Sequence, residues 1–397
     1  MKMKKSYFVY LLCILPFLEM PRWGYVPEVN RLFLIAKMIS AVYVISIVVI
    51  NNSFNRLDIA FIAYCLIGIL STVINKGQVM DAISESLAIL IPLFLMEFYM
   101  NRLTLAQLLK PFVYIQGIYM MITAVQLLRV PFHVFYVHGL RASYSSLDHD
   151  RYGYIYSLGE PKRFVFILLP MLMFAFLLWS KQSFNSYLKI CFFCCCSLFV
   201  VIYSWGASAI LALFGAIVYW WINEKYIIIK KFIDIWKIWI GFLIMNVVLI
   251  STNFLFEMSW FASLFGKSST LSGRTYIWAK ALIYIKSSIL YGNGINRPLM
   301  KERFWDLVHV HNLLLNILYQ GGIIQLLIFN YICYLTVKKL YQFKEKRTAT
   351  IIVGALLGFF ILALTDTTDN NMLFLILVFG YSVDKETFNK SKVRKKE

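Results

Sequence analysis

Two histidines, His309 and His311, stand just before an apolar run that opens at Asn312. An imidazole has an unperturbed pKa of about 6.5, so at a wet membrane edge it can exchange a proton near neutrality, as general acid–base chemistry requires. Upstream, Ser272-Gly273-Arg274 begins a run through Trp278, Lys280 and Tyr284 to Lys286 that reads as a helix with Ser272 near its N-cap. Arg274 then lies in the first turn, and a guanidinium beside free backbone N–H groups is an arrangement that binds phosphate. The run mixes apolar, aromatic and basic residues. It suits a helix lying at the membrane interface, with Trp278 and Tyr284 at headgroup depth. Tyr291-Gly292-Asn293-Gly294 ends it in a glycine-rich turn. If Val310 marks the start of the next helix, His309 and His311 lie about 200° apart around its axis and cannot face one acceptor. The sequence shows no further ligand beside the two histidines, so no metal is expected there.

A second cluster precedes the run that begins at Phe164: Arg141, Asp148-His149-Asp150, Arg151 and Gly159-Glu160-Pro161. Asp148-His149-Asp150 has the look of the Asp-x-Asp metal motif of nucleotide-sugar transferases, but those enzymes set it in a soluble α/β domain that cannot be read in this chain. Proline at a helix start is ordinary; Arg151 and Glu160 are not required by one.

The elements that must hold these residues are membrane spans. Of 397 residues, 60% are hydrophobic and only 15% charged, with a mean hydropathy of +0.70. Soluble domains run at about 25% charged. Apolar runs fall near 7–20, 32–50, 57–74, 82–99, 111–128, 164–180, 188–204, 206–222, 233–256, 312–336, 349–365 and 371–383. At about 20 residues per crossing, the expected fold is an all-α polytopic membrane protein of about twelve transmembrane helices, one integral membrane domain over 1–397. The apolar run after Lys5 imitates a signal peptide but lacks an Ala-x-Ala site, and is expected to be a retained first span. Basic residues cluster at both ends of the chain and at 338–347, which puts the N- and C-termini in the cytoplasm. Two long extracytoplasmic loops follow, 129–163 and 257–311, the second carrying the interfacial helix. All five histidines lie in these loops. The net charge of +19 is scattered between apolar runs, so nucleic acid is not an expected partner. The seven cysteines sit within apolar runs, where they behave as small hydrophobes and imply no disulfide framework.

Taken together, Ser272-Gly273-Arg274, Trp278, Gly292-Asn293-Gly294, His311-Asn312 and Gly321-Gly322 resemble the O-antigen ligase and polymerase superfamily, and the Arg151…Gly159-Glu160-Pro161…Phe164 run is similar to the first-loop motif of its polymerase branch. The family often carries Ser-Arg near the eighth span. This chain reads Ser204-Trp205-Gly206-Ala207-Ser208, so the role of that arginine must be met elsewhere. The resemblance implies a metal-independent, inverting glycosyltransferase without a cofactor, in the cytoplasmic (inner) membrane with its active site on the extracytoplasmic face. Its donor would be an oligosaccharide on undecaprenyl pyrophosphate, which it would join to another such repeat unit. His311 is expected as the base, with Arg274 and Arg151 stabilising the leaving pyrophosphate. Arg141, Glu160, Lys280, His309 and Asn312 are expected to contact substrate. Expected partners are membrane lipid, a flippase and a chain-length regulator. Two alternatives are a ligase transferring finished polymer to a lipid A core and, in another class, a lipid-linked sugar flippase or transporter.

Overall fold

The computed structural model describes residues 5–51, 54–129, 156–160, 163–179, 183–204, 206–225, 233–251, 274–304, 307, 309–367 and 370–385. Among these the ordered elements are helices, with no strand. Each apolar run falls on a helix: α1 (Lys5–Ile14), α2 (Pro27–Asn51), α3 (Arg56–Ile74), α4 (Val79–Met100), α5 (Leu105–Arg129), α6 (Phe164–Leu178), α7 (Phe184–Tyr203), α8 (Ala207–Lys225), α9 (Ile235–Ile250), α12 (Leu313–Gln342), α13 (Arg347–Ala363) and α14 (Asn370–Tyr381). Two further helices, α10 (Arg274–Ser287) and α11 (Arg297–Arg303), lie between α9 and α12. Six helices, α2, α3, α4, α5, α7 and α12, are long and apolar enough to cross a membrane; the other apolar helices are shorter. The chain is a multi-pass membrane protein.

Polar residues mark the helix starts. Asn55 accepts from the backbone of Leu57 and Asp58, while Asp58 accepts from the Asn55 N–H, a reciprocal cap on α3. Ser183, Asp234 and Asn312 cap α7, α9 and α12. α6 is apolar on every side, and all of it except Ile167 and Leu178 is buried, packed against α5, α7, α8 and α13. In contrast, α2 exposes Leu32, Ile35, Met38, Ile39, Val42, Val49 and Ile50. Such a stripe is a liability in water and the natural surface for a helix facing lipid tails.

The apolar run read as one span is broken at its paired glycines. Gly322 takes φ +67°, ψ −168° inside it. The interrupted turn frees backbone groups that hydrocarbon could not satisfy, and the chain after α10 supplies partners. The Ile323 N–H donates to Ile289 O at 2.8 Å, the Asn293 N–H to Tyr319 O at 2.6 Å and the Gly294 N–H to Gln320 O at 2.8 Å. Ser71 of α3 donates to the same Gln320 carbonyl at 2.6 Å. A Cβ at Gly322 would meet the Leu290 carbonyl, and one at Gly292 (φ +71°) would meet Gln320, so neither position has room for a side chain. The turn expected merely to end α10 is thus a splint for α12.

Between α10, α11 and the start of α12 lies a small separate core: Ile277, Trp278, Ala281, Ile285, Met300, Phe304, Val310, Leu315 and Tyr319. Trp278 is 1% exposed, and its indole N–H donates to Val310 O at 3.0 Å. Its ring packs against protein, within that small core. Arg303 closes the same unit, donating to Asn293 Oδ1 and the Tyr319 hydroxyl, both at 2.9 Å, with its guanidinium 4.2 Å from the Tyr284 ring centre.

Candidate active site

His311 precedes α12 without being part of it, and its backbone takes φ +51°, one of two non-glycine residues with positive φ among those described. The left-handed region costs a non-glycine residue about 1–3 kcal/mol and persists only where neighbours enforce it. Both neighbours are fixed. Val310 is fully buried and receives the Trp278 indole, while Asn312, 0% exposed, caps α12 through Leu315 N at 2.9 Å. The Asn312 amide also donates to Asn246 Oδ1 of α9 at 2.8 Å and to Leu364 O, just after α13, at 3.0 Å. Asn312 is therefore taken up by structure, and its expected substrate contact gives way to a positioning role.

That anchor to Leu364 brings in a residue that sequence reasoning missed. Asp366 lies in the turn after α13, and its Oδ1 is 3.4 Å from His311 Nδ1 and 3.9 Å from His309 Nε2. The imidazole centres are 4.3 Å apart at 66°. His309 and His311 thus share one carboxylate. They are not turned to opposite sides, because α12 begins at Leu313 and the positive φ of His311 folds the chain back. A signal was available: Thr365-Asp366-Thr367 fills a short connection that the expected alternation of twelve spans would put on the same side as the long loops.

The electrostatics follow from this packing. Burial pushes the Asp366 carboxyl upward, but the His311 hydrogen bond and the charges of His311, Arg274 and His309 outweigh it and hold the pKa at about 2. Burial, followed by His311, drives His309 down to about 4 against the pull of Asp366; Arg163 and Arg274 add to the depression. Arg274, the first residue of α10, is itself lowered by burial and raised by Asp366. An anionic carboxylate, two imidazoles and a guanidinium thus come from three separate segments. Arg163, at the start of α6, feels the same cluster and pairs with Glu160 at 3.8 Å.

The other expected residues fare differently. Glu160 sits in a tight turn whose backbone is held by α5, through Ser157 N to Gln126 Oε1 at 2.9 Å and Leu158 N to Thr123 Oγ1 at 3.1 Å. Lys280 follows Arg274 by six residues, which turns it about 120° around α10 from the arginine. Arg141, Arg151 and Asp148-His149-Asp150 lie outside the described residues, as do Ser272 and Gly273. Among the described residues, His309, His311 and Asp366 form the one group with metal-ligand spacing, their donor atoms all within 4.8 Å of one another. The third ligand that the sequence did not show is therefore present in space.

Chemically, a carboxylate on Nδ1 of a histidine fixes the tautomer that leaves Nε2 free to take a proton, while Arg274 contributes positive charge to the field of the same cluster. Residues 190–330 match a family described as O-antigen ligase, which supports the superfamily resemblance drawn from the motifs. The match contains Arg274, His309, His311 and the Gly321-Gly322 break; Arg163 and Asp366 lie beyond it. No curated protein matches the chain.

Proposed function

We propose that this chain, similar over residues 190–330 to O-antigen ligases, is a metal-independent, inverting glycosyltransferase that polymerises undecaprenyl-pyrophosphate-linked oligosaccharide units on the outer face of the cytoplasmic membrane. The observation that carries the reading is His311 set against Asp366 with Arg274 in the same field. His311 Nε2 takes the proton from an acceptor sugar hydroxyl as that oxygen attacks the anomeric carbon of the donor. The bond from that carbon to the pyrophosphate oxygen breaks, and its electron pair leaves with undecaprenyl pyrophosphate. Arg274 meets the negative charge that develops there, where a fixed donor is worth most. Arg151 and Arg141 are proposed to assist. The 3.4 Å separation of His311 and Asp366 is long for a hydrogen bond, as is common before substrate tightens a site.

The grouping of the ends of the helices supports the proposed orientation. The connections after α3 and α13 and those before α6 and α12 meet at the histidine end, where Asn75 donates to Gly292 O at 3.0 Å and Arg297 to Glu85 at 2.9 Å. The opposite end holds Lys339, Lys344, Lys346 and Lys385.

A second reading, a ligase that moves finished polymer to a lipid A core, is favoured by the description of the matched family. The two differ in acceptor. In a strain lacking the protein, single repeat units left on carrier lipid indicate the polymerase, and complete polymer stranded on carrier lipid indicates the ligase. Movement of lipid-linked sugar across liposomes without any new glycosidic bond would exclude both and leave the flippase.

A further inference from the structure

We propose that His309, His311 and Asp366 form a site for a borderline transition-metal cation, Zn²⁺ above all, and that its occupancy silences the transfer reaction. The proposal rests on the transferase reading for its second half only. Zinc binds imidazole nitrogen and carboxylate oxygen at about 2.0–2.2 Å, so tetrahedral ligands stand about 3.3–3.5 Å apart. His311 Nδ1 and Asp366 Oδ1 already have that spacing at 3.4 Å. His309 Nε2 lies 3.9 Å from the same oxygen, and the three donors stay within 4.8 Å, so small side-chain rotations complete three corners. All three residues are half-buried, which leaves the fourth corner to water. Two imidazoles with one carboxylate select Zn²⁺, Co²⁺ or Ni²⁺ over Mg²⁺ and Ca²⁺, which prefer all-oxygen shells. Arg274 opposes a second cation and makes the site weaker than a closed structural one.

The silencing follows from the tautomer. As a base, His311 keeps its proton on Nδ1, facing Asp366, and presents the Nε2 lone pair to the acceptor. A metal at the His309–Asp366 position needs the lone pair of Nδ1, which obliges the neutral ring to carry its proton on Nε2. Coordination also takes the Asp366 oxygen that orients the ring. Metal binding and base function are therefore mutually exclusive uses of one imidazole.

The test uses the full chain, without a polyhistidine tag, in detergent or nanodiscs. Co²⁺ is titrated by visible absorption and Zn²⁺ by calorimetry, against wild type, His309→Ala and Asp366→Asn, each first shown to be folded by its thermal transition. The expected result is a single site with the strong visible bands of four-coordinate cobalt, weakened at least tenfold in both variants and untouched by excess Mg²⁺. Binding that is equal in the wild type and both variants, or no binding at all, overturns the site. In the second arm, Zn²⁺ stops glycan extension at the concentration that fills the site, and EDTA restores it. Stimulation by Zn²⁺, or full activity with the site filled, overturns the silencing. If the metal binds as expected but metal-free protein never forms a glycosidic bond, the transferase reading fails and the site stands.

Discussion

At the C-terminal end of α12, Lys339 meets Asp384 at 2.6 Å, while nearby Lys385 reaches Glu97 at 3.1 Å and Asn55 donates to the same Glu97 oxygen. At its N-terminal end, Asp366 faces two imidazoles at 3.4 and 3.9 Å with Arg274 in its field. Both ends pair acids with bases, yet the pairings differ in kind. An ammonium closed on a carboxylate has no lone pair with which to take a proton, and its charge serves to hold helices together. A carboxylate shared by two imidazoles leaves each ring a second nitrogen for other work. Charge pairing is structural where the base is a donor only, and open to chemistry where a ring nitrogen can still accept a proton.

The sharpest way to break this contrast is His311→Ala. Removing a positioned base costs about 10²–10⁴ in rate, so polymer should nearly vanish while the protein stays in the membrane. If His311→Gln instead keeps wild-type chain length, His311 is only a hydrogen-bond donor and the base assignment falls. Asp366→Asn should be milder. A hydrogen bond to a charged group is worth about 1.5–3 kcal/mol, hence about a 10- to 100-fold loss in turnover with the protein intact. Its counterpart, Glu97→Gln, should lower the melting temperature and leave turnover per folded molecule unchanged. A catalytic loss in Glu97→Gln matching that of Asp366→Asn would erase the distinction between the two ends. Arg274→Lys should also impair turnover, because an ammonium lacks the bidentate fork. Near-normal polymer from that variant at matched abundance would make Arg274 a lipid anchor.

The smallest effect expected is one of pH on stability. His309 titrates at about 4 in the fold against about 6.5 when free. Between those values the unfolded chain binds more protons, so stability falls as pH drops from about 6.5 to about 4. Asp366, depressed to about 2, adds stability that is lost only below the ordinary carboxylate range. Melting curves of His309→Gln should be flatter across the upper interval; an unchanged slope would show that His309 is not held neutral by its surroundings.

The helices were legible because long apolar runs, and Asn312 at the start of one of them, are local signals. Arg274 and His311 could be singled out as candidates for the same reason. What escaped depends on distance along the chain. Asp366 is 55 residues from His311 and looks like any turn aspartate until Asn312 ties Leu364 beside it. The break at Gly322 becomes tolerable only through the carbonyls and N–H groups of 289–294, which no window around Gly322 contains. The packing of Trp278 was out of reach as well, because a mixed apolar and basic helix looks the same whether its aromatic face meets lipid headgroups or, as here, a protein core.

The central claim is that the histidine end of α12 forms glycosidic bonds on lipid-linked sugar. It is tested most directly by incubating purified protein in proteoliposomes with defined undecaprenyl-pyrophosphate-linked repeat units and reading product length and linkage. Wild type should yield a ladder of multiples of the repeat with inverted anomeric configuration and released undecaprenyl pyrophosphate, with no ladder from His311→Ala. An equal ladder from His311→Ala, or no glycosidic bond from wild type under any metal-free condition, would contradict it.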